Sequence, residues 1–329
     1  MATMVRIHFT STDFARTVVA AEPDPMWETL LSLHMLQSRD GRRVFGPWRR
    51  TLGGVPSESL RDVLPFAPPR GYSPDFLTPA GAIGHVEEGI DVLAGTPRSR
   101  LRGDLEVLGR DRRLPGWSVD LANGGTGALR RLTRALRDHH DRALAPHWDS
   151  VRRHVHADRA LRARTLLQGG VDSLLSGLSP ALDWQPPVLE MRSLLTDRDL
   201  HLDGRGLRLI PSFFCWRAPI LLRDPSLPPV LVYPVDHDAV EADWISGGRG
   251  RRGDEALGNL LGRTRAEVLC TVARHGHSTT QVARHVGVSM ATASQHLSVL
   301  RENGLVATHR LGSSAHHTAT PLGRGLCGG

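Results

Sequence analysis

The stretch STTQVARHVGVSMATASQHLSVLRENGLV, residues 278–306, decides the fold of the C-terminal part of the chain. It predicts two helices joined by a short turn. Ser278, followed three residues later by a glutamine, has the pattern of a capping box that begins the first helix. Gly287 ends this helix, because glycine adopts the left-handed backbone conformation without a steric penalty. Ser289 caps the second helix and Gly304 ends it, so the stretch predicts a helix-turn-helix.

The second predicted helix separates its side chains into two faces. Ala293, Leu297 and Leu300 recur at spacings of four and three residues, so we expect them in the core. The opposite face carries small or hydrogen-bonding side chains and no acidic residue. Such a face is typical of a recognition helix that enters the major groove of DNA. A solvated face of an ordinary helix is the alternative interpretation.

We interpret the opposite face as a DNA-contacting surface. Its candidate residues are Ser289, Met290, Ala291, Thr292, Ser294, Gln295, Ser298 and Arg301. A glutamine side chain can pair with the edge of an adenine, and a serine hydroxyl can serve several bases. We therefore expect Gln295 and Ser294 to contact bases and Arg301 to contact a phosphate.

The segment that follows predicts a β-hairpin. Residues 305–311 have the pattern of a strand, 312–314 that of a turn, and 315–319 that of a returning strand. Beside a helix-turn-helix, such a hairpin is a wing. Its candidate contacts with phosphates or an adjacent minor groove are His309, Arg310, Ser313 and Ser314. The alternative is a hairpin that only positions the recognition helix.

With these motifs in place, residues 257–324 resemble the winged-helix domain of the ArsR/SmtB family of regulators. The resemblance depends on Leu261-Gly262-Arg263-Thr264-Arg265, on Ser289 with Ser294-Gln295-His296-Leu297, and on Leu300-Arg301-Glu302-Asn303-Gly304-Leu305-Val306. It implies a transcriptional regulator that binds double-stranded DNA, and we expect two copies on a two-fold operator. The family's name implies repression, whereas the residues themselves do not distinguish repression from activation. Because the chain ends soon after the wing, we expect dimerisation through the N-terminal domain.

The rest of the chain resembles a long subgroup of this family, found in GC-rich bacteria, with an N-terminal domain of unassigned role. The matching pieces are Ile7-His8-Phe9-Thr10, Trp27-Glu28, Ser73-Pro74-Asp75-Phe76-Leu77-Thr78-Pro79, Gly204-Arg205-Gly206-Leu207, Ile210-Pro211-Ser212-Phe213 and Leu231-Val232-Tyr233-Pro234. This domain is a candidate sensor of a small-molecule effector, a dimerisation platform, or a contact surface for RNA polymerase or another regulator. An apolar pocket near Trp27, Trp48, Phe76 and Phe213 would favour the sensor.

Periodicity along the N-terminal domain predicts an α+β fold, with helices first and a small β-sheet after them. Residues 5–9 predict a strand. We expect a helix after it that is capped by Ser11 or Thr12 and contains Val18 and Val19. Residues 26–37 predict a core helix. Residues 41–81 predict irregular structure, and 128–177 a helical region broken near Pro146 with Leu161 and Leu166 on its apolar side. Short strands are expected at 189–192, 200–202, 207–211, 213–217 and 230–233.

The domain boundaries follow from composition. We predict an N-terminal domain at 1–246, a basic Gly/Arg linker at 247–254 and the winged helix-turn-helix at 255–329. The formal net charge of +7 favours a polyanionic partner. All 41 basic residues are arginine, and the absence of lysine excludes a P-loop, Schiff-base chemistry and a protein kinase.

The three cysteines are scattered and form no CxxC pair, which indicates a reducing compartment. The N-terminus has no apolar signal core, and no run reaches the roughly 20 apolar residues of a membrane helix. We therefore expect a soluble, cytoplasmic protein with no membrane partner.

Two further interpretations stay open as alternatives. A metal-responsive repressor would use His275 with His277, or His316 with His317. By the resemblance, the family's thiolate positions correspond to Ser278 and Thr280, however, and no four-ligand set has zinc-site spacing. We therefore predict no metal and no cofactor.

An enzyme or interaction module in the N-terminal domain, with non-specific DNA binding, is the second alternative. Its candidate groups are His139, His140, Asp141, His154, His156, Asp158, Asp236, His237 and Asp238. The sequence has no GxSxG elbow and no HExxH helix, so we predict that the protein is not an enzyme.

Overall fold

The computed structural model of the protein describes residues 3–53, 57–193, 197–237, 257–274, 277–311 and 314–327. At residues 193, 274, 309–311 and 314 only the backbone is described. The chain divides into two compact units, Met1–Ala242 and Asp243–Gly329. The predicted linker at 247–254 lies outside the described residues.

The N-terminal unit is rich in helices. They are α1 (Ser11–Arg16), α2 (Pro25–Gln37), α3 (Arg42–Thr51), α4 (Glu58–Val63), α5 (Val86–Ala94), α6 (Arg98–Gly109), α7 (Ser118–Ala122), α8 (Thr126–Ala143) and α9 (Trp148–Ser176). A 3₁₀ turn at Ala145–His147 separates α8 from α9, which confirms the predicted break near Pro146. Helix α9 is itself kinked at Gly170.

Two four-stranded sheets complete this unit, where the sequence predicted one small sheet. The strands are β1 (Thr3–His8), β2 (Val18–Val19), β3 (Leu182–Gln185), β4 (Val188–Ser193), β5 (Arg198–His201), β6 (Arg208–Ser212), β7 (Ile220–Leu221) and β8 (Val230–Pro234). One sheet has the order β3-β4-β1-β5 and the other β2-β6-β8-β7. The α+β prediction is confirmed, and the first strand of the chain lies inside a sheet made mostly of late strands.

Helix α2 is the central helix of the N-terminal unit. Its residues are apolar on every side, and nearly all of them are buried, as expected of a helix surrounded by other elements. The Asp24 carboxylate caps it by accepting the N–H groups of Met26 and Trp27 at 3.0 and 3.2 Å. The predicted core helix at 26–37 is therefore confirmed.

Glu28, on α2, connects this helix to the end of β6. Its fully buried carboxylate accepts hydrogen bonds from the Ser212 hydroxyl at 2.9 Å and from the N–H groups of Phe213 and Phe214 at 2.8 and 3.0 Å. Burial raises the pKa of Glu28 to about 7, although the three donors oppose the increase. These bonds turn the chain away from β6, so the predicted strand at 213–217 is wrong.

The first helix begins and ends differently from the prediction. Thr10, rather than Ser11 or Thr12, is the N-cap, because Asp13 completes a capping box with it. The helix ends at Arg16, and Val18–Val19 form β2, which pairs in parallel with β6. Pairing with Arg208 and Leu209, each 190 residues further along the chain, overrides the local helical pattern.

The prediction of irregular structure at 41–81 is also wrong in part. Helix α3 forms although it contains Gly46 and Pro47, and α4 follows within the same stretch. A proline inside a helix costs about 3 kcal/mol, and burial of Val44, Phe45 and Trp48 offsets this cost. In α9, Leu161 and Leu166 are 44% and 39% exposed, so they do not belong to its buried side.

The C-terminal unit contains five helical segments and a three-stranded sheet in its described part. Residues 257–261 are helical. They are followed by α10 (Arg263–Arg274), β9 (His277–Ser278), α11 (Thr279–Val286), α12 (Met290–Glu302), β10 (Val306–Leu311), β11 (Ser314–Ala319) and α13 (Pro321–Leu326). Among the residues described in either unit, no helix is both long and apolar enough to cross a membrane.

We expect Glu28→Gln to destabilise the N-terminal unit by about 1–3 kcal/mol. The amide NH₂ of glutamine is a donor and cannot accept the hydrogen bonds that the Ser212 hydroxyl and the following N–H groups donate to Glu28. The pKa of Glu28 is raised on folding, so its contribution to stability is complete below its ordinary value of 4.5 and is lost as pH rises through about 7. The deficit of the variant should therefore be larger at pH 6 than at pH 8.

Urea unfolding followed by tryptophan fluorescence measures this deficit, since six of the seven tryptophans lie within residues 1–242. Glu106→Gln, at an exposed position of α6, is the matched control and should change stability by less than about 0.5 kcal/mol. A deficit that grows from pH 6 to pH 8 would contradict the raised pKa of Glu28.

Candidate nucleic-acid interface

Side-chain caps define where α11 and α12 begin. Ser278 Oγ accepts the N–H of Gln281 at 3.3 Å, and Gln281 Oε1 accepts the N–H of Ser278 at 2.8 Å, so the predicted capping box is confirmed. Ser289 Oγ accepts the N–H of Thr292 at 3.1 Å. The caps satisfy N–H groups that have no partner within their own helix.

The turn between the two helices depends on one glycine. Gly287 has φ 72° and ψ 32°, in the left-handed region, and it ends α11 as predicted. The next residue, Val288, donates its N–H to the carbonyl of Ala283 at 3.0 Å. A side chain at position 287 would strain this conformation, so the turn angle between α11 and α12 depends on the glycine.

One face of α12 packs into the core of the unit. Ala293, Leu297 and Leu300 are buried, as their spacing predicted. They pack in one cluster with Val282 of α11 and Leu269 of α10. This packing fixes the rotation of α12 about its axis and therefore which residues point outward.

The outward face of α12 carries the candidate contacts. Met290 is 57% exposed, Ala291, Ser294, Gln295 and Arg301 are exposed, and Thr292 and Ser298 are partly exposed. Ser289 and Thr292 also hydrogen-bond each other through their hydroxyls at 2.8 Å. These two side chains therefore take part in the cap at the start of α12.

Several polar groups on this face have no partner in the part of the chain that the structure describes. Among the described residues, the side chains of Ser294, Gln295 and Ser298 make no hydrogen bond, and the Arg301 guanidinium makes no hydrogen bond or salt bridge. These four side chains are therefore available to an external ligand.

The predicted wing is present as the antiparallel pair β10–β11, with His309 opposite His316. The backbones of His309, Arg310 and Ser314 lie on its strands, while Ser313 and the adjoining Gly312 fall outside the described residues. Strand β9 pairs with β11 and joins the wing to the start of α11. The wing thus lies next to the helix-turn-helix in a fixed register.

His317 anchors the wing, a role that the sequence did not reveal. This buried ring contacts the Thr279 hydroxyl through Nε2 at 3.0 Å and the Thr308 hydroxyl through Nδ1 at 2.9 Å. Burial and the nearby charge of Arg301 lower the pKa of His317, so the ring is neutral near pH 7.

Both ring nitrogens of His317 therefore contact threonine hydroxyls. This arrangement argues against the alternative in which His316 and His317 bind zinc together. No group of three or more potential metal ligands occurs within the described ranges of the chain. His275 falls outside those ranges.

Two of the three cysteines, which look unrelated in the sequence, meet in this unit. The Sγ atom of Cys270, on α10, lies 2.7 Å from the Sγ atom of Cys327, which follows α13. The short helix α13 is therefore held against α10, where Gly323 also packs closely on the carbonyl of Leu305.

In the core of the N-terminal unit, a serine contacts a histidine, and such a pair is relevant to the alternative that this unit is an enzyme. Ser32 Oγ lies 2.8 Å from His139 Nε2, but both residues are buried. The Ser32 hydroxyl also donates to the carbonyl of Thr29 at 2.8 Å. Burial lowers the pKa of His139 to about 3, so the contact is that of a neutral core histidine.

Two capped helices, an exposed helix face that carries no acid from Met290 to Arg301 and an adjacent hairpin define a winged helix-turn-helix DNA-binding unit. Residues 262–308 match the model of the bacterial regulatory protein arsR family. Residues 109–239 match a family of unknown function, DUF5937. The C-terminal unit therefore carries an arsR-type helix-turn-helix and marks the protein as a DNA-binding transcriptional regulator, while the matched part of the N-terminal unit belongs to a family without an assigned role.

Two solved structures are similar to the C-terminal part of the chain. Reduced HlyU from Vibrio cholerae N16961 is 19% identical, covers 25% of this chain and 90% of its own, and has a TM-score of 0.20. NolR from Sinorhizobium fredii is 21% identical, covers 27% of this chain and 88% of its own, and also has a TM-score of 0.20. At these scores neither structure adds to the functional argument. No curated protein matches the chain.

We expect His317→Leu to loosen the wing, because the hydroxyls of Thr279 and Thr308 would each lose a buried hydrogen-bond partner. Each loss should destabilise the folded state by about 1–3 kcal/mol. Hydrogen exchange of peptides covering 277–319 should accelerate about tenfold or more. His316→Leu, at the neighbouring and partly exposed position, is the control and should exchange like the wild type. Equal exchange in the two variants would show that His317 does not anchor the wing.

Proposed function

We propose that this regulator binds a specific operator as a homodimer and that its N-terminal unit modulates the binding. The observation that carries the proposal is the outward face of α12, which is held in place by a buried opposite face and, among the described residues, exposes unpartnered polar groups with no acid between Met290 and Arg301. Two-fold symmetric dimers of such units bind half-sites about one helical turn of DNA apart.

Base contacts are assigned to the middle of this face. Gln295 carries a donor and an acceptor on one amide, which suits the paired acceptor and donor on the major-groove edge of adenine. Ser294 lies beside it and offers a hydroxyl. Met290 and Ala291 present apolar surface that suits a thymine methyl group.

Phosphate contacts are assigned to the rim of the interface. Arg301 lies at the far end of the same face of α12, and its exposed guanidinium suits a phosphate oxygen. Ser298 belongs to the same stripe. His309, Arg310, Ser313 and Ser314 extend the proposed contacts onto the wing by their positions in the sequence.

The N-terminal unit supplies the proposed regulation. It contains a cavity bordered by apolar and charged side chains, which favours an effector-binding role over a purely structural one. Dimerisation and contact with RNA polymerase or another regulator are further roles that we propose for its surface.

Selection from a random-sequence DNA library at near-physiological salt tests the proposal. A homodimer with two recognition helices should enrich a site with two-fold symmetry. Enrichment of a single half-site would contradict the dimer, and recovery of unselected DNA would mean that binding depends on net charge alone.

Substitutions on α12 should separate base contacts from phosphate contacts. Gln295→Ala should relax specificity at one position of each half-site, at a cost of about 1–3 kcal/mol for the cognate site. Arg301→Gln should weaken binding to all sequences alike and reduce the salt slope by about 0.9 per contact. Affinity for cognate and random DNA at several salt concentrations measures both effects.

Arg134→Gln is the charge-matched control, because Arg134 is an exposed arginine of α8 with no hydrogen bond among the described residues. It should leave affinity and salt slope nearly unchanged. If Gln295→Ala and Arg301→Gln reduced binding to cognate and random DNA by equal factors, the division into base and phosphate contacts would be incorrect.

A further inference from the structure

A cavity of about 290 Å³ lies within the N-terminal unit, between α2, the segment 68–78 and the chain around β7. Its volume is near the lower end of the range of small-molecule sites, roughly 300–1,000 Å³. One side of α2 faces the cavity. Its residues there recur at spacings of three and four: Trp27, Leu30, Leu31 and His34.

The inner wall of the cavity is mostly apolar. Side chains from α2, β1, β4 and the segment after β6 form it: Val5, Trp27, Leu30, Leu31, Met35, Met191, Phe214 and Ile220. Of the four aromatic residues expected near a pocket, only Trp27 lines it. Trp48, Phe76 and Phe213 are buried in the core instead, because neighbouring elements cover them on all sides.

Arginines line another part of the cavity. Arg70, Arg192, Arg198 and Arg223 all border it, and none of them forms a salt bridge with any carboxylate in the described part of the chain. Elsewhere in the unit, Arg131 and Arg137 each make a two-point contact with a carboxylate. The guanidinium groups of Arg192 and Arg223 therefore remain available for a two-point contact of the same kind.

Two of these arginines are fixed in position. Arg198 donates to the carbonyls of Arg223 and Leu222 at 2.6 and 3.1 Å, and the Arg223 guanidinium lies over the Tyr72 ring, 5.4 Å from its centre. Partial burial and the positive charge of Arg223 lower the pKa of Arg198. The two positive charges thus repel each other in partly desolvated positions, and a nearby anion would relieve this repulsion.

The acidic residues at the cavity supply that anion only in part, through the charge of Asp75, which favours the ionised form of Arg198. Asp75 is buried, and its Oδ2 already accepts the N–H of Asp224 at 2.6 Å. Burial, followed by the charge of Asp104, raises the pKa of Asp75 to about 7, so it is only partly ionised at neutral pH. Asp40 is exposed at the other side of the lining and makes no salt bridge among the described residues. The lining therefore carries a net positive charge.

A second polar group at the cavity also lacks a partner. The indole N–H of Trp27 is buried and, within the described residues, has no hydrogen-bond acceptor. His34 lies about two turns further along α2, with Nε2 2.9 Å from the Ser73 hydroxyl. A buried donor without an acceptor costs free energy, and an acceptor atom on a bound molecule would satisfy it.

We propose that the cavity binds a small amphipathic carboxylate, whose hydrocarbon or aromatic body lies against Trp27, Leu30 and Leu31. Its carboxylate would pair with the guanidinium groups of Arg192 and Arg223. A neutral apolar molecule would leave the arginines unpaired, and a small inorganic anion would leave the apolar wall unfilled. This inference deepens the proposed regulation by naming the class of effector, and it rests on that proposal only for the link to DNA binding.

The test uses the full chain and matched pairs of probes. Calorimetric titration compares 4-phenylbutyrate with 4-phenylbutyramide and octanoate with octanamide, and acetate serves as an anion without an apolar body. At least one of the two long carboxylates should bind one molecule per chain, about tenfold or more tighter than its amide, and acetate should not compete. The pair that binds shows whether the body is aromatic or aliphatic.

The double substitution Arg192→Gln/Arg223→Gln should reduce carboxylate affinity about tenfold or more and leave amide affinity unchanged. Neither side chain donates a hydrogen bond within the described residues, so the fold should persist, and the melting profile of tryptophan fluorescence checks this. Arg130→Gln/Arg134→Gln, on the exposed side of α8, removes the same charge away from the cavity and should bind the carboxylate like the wild type.

Equal affinity for carboxylate and amide would overturn the inference, and so would the absence of carboxylate binding at about 1 mM. Operator affinity measured in the same preparations separates this inference from the proposed function. If the carboxylate binds without changing operator affinity, the site stands and the regulatory link fails. If a two-fold operator is recovered but no carboxylate binds, DNA recognition stands and this inference fails.

Discussion

The Glu28 carboxylate, removed from solvent, accepts three hydrogen bonds from the last residue of β6 and the two residues after it, and the rest of the N-terminal unit is arranged around this contact. It fixes α2 against the second sheet and turns the chain after Ser212. The same contact positions both walls of the cavity, because Trp27 precedes Glu28 on α2 and Phe214 donates to it. The cavity is thus a consequence of how one buried charge is satisfied.

The C-terminal unit is organised by short-range contacts instead. Ser278 and Ser289 cap helices within three residues of themselves, and Gly287 sets the turn between them. Its long-range contacts, such as His317 with Thr279, position the wing on a helix-turn-helix that is already defined locally. This difference suits the two proposed roles: base recognition needs a rigid reading surface, whereas the sensing that we propose for the N-terminal unit needs a cavity.

Much of the DNA-binding unit could be predicted from the sequence, including both helix starts, the glycine turn, the buried face of α12 and the hairpin. The roles of Gln295, Arg301 and the wing residues stay predictions. In the N-terminal unit, α2 and the break near Pro146 were predictable from periodicity. The helical assignment of Val18–Val19, the strand at 213–217 and the irregular structure at 41–81 were wrong, because each depended on a partner distant in the sequence.

The sequence by itself determined the winged helix-turn-helix and the separation of its core face from its outward face, because caps, turns and helical periodicity act over a few residues. Only the tertiary structure decided which side chains meet across the chain. Glu28 meets Ser212 over 184 residues, and Cys270 meets Cys327 over 57. The arginines around the cavity converge from four places: the segment 68–78, β4, β5 and the chain after β7. No local pattern records such contacts, since they arise when packing brings separate elements together.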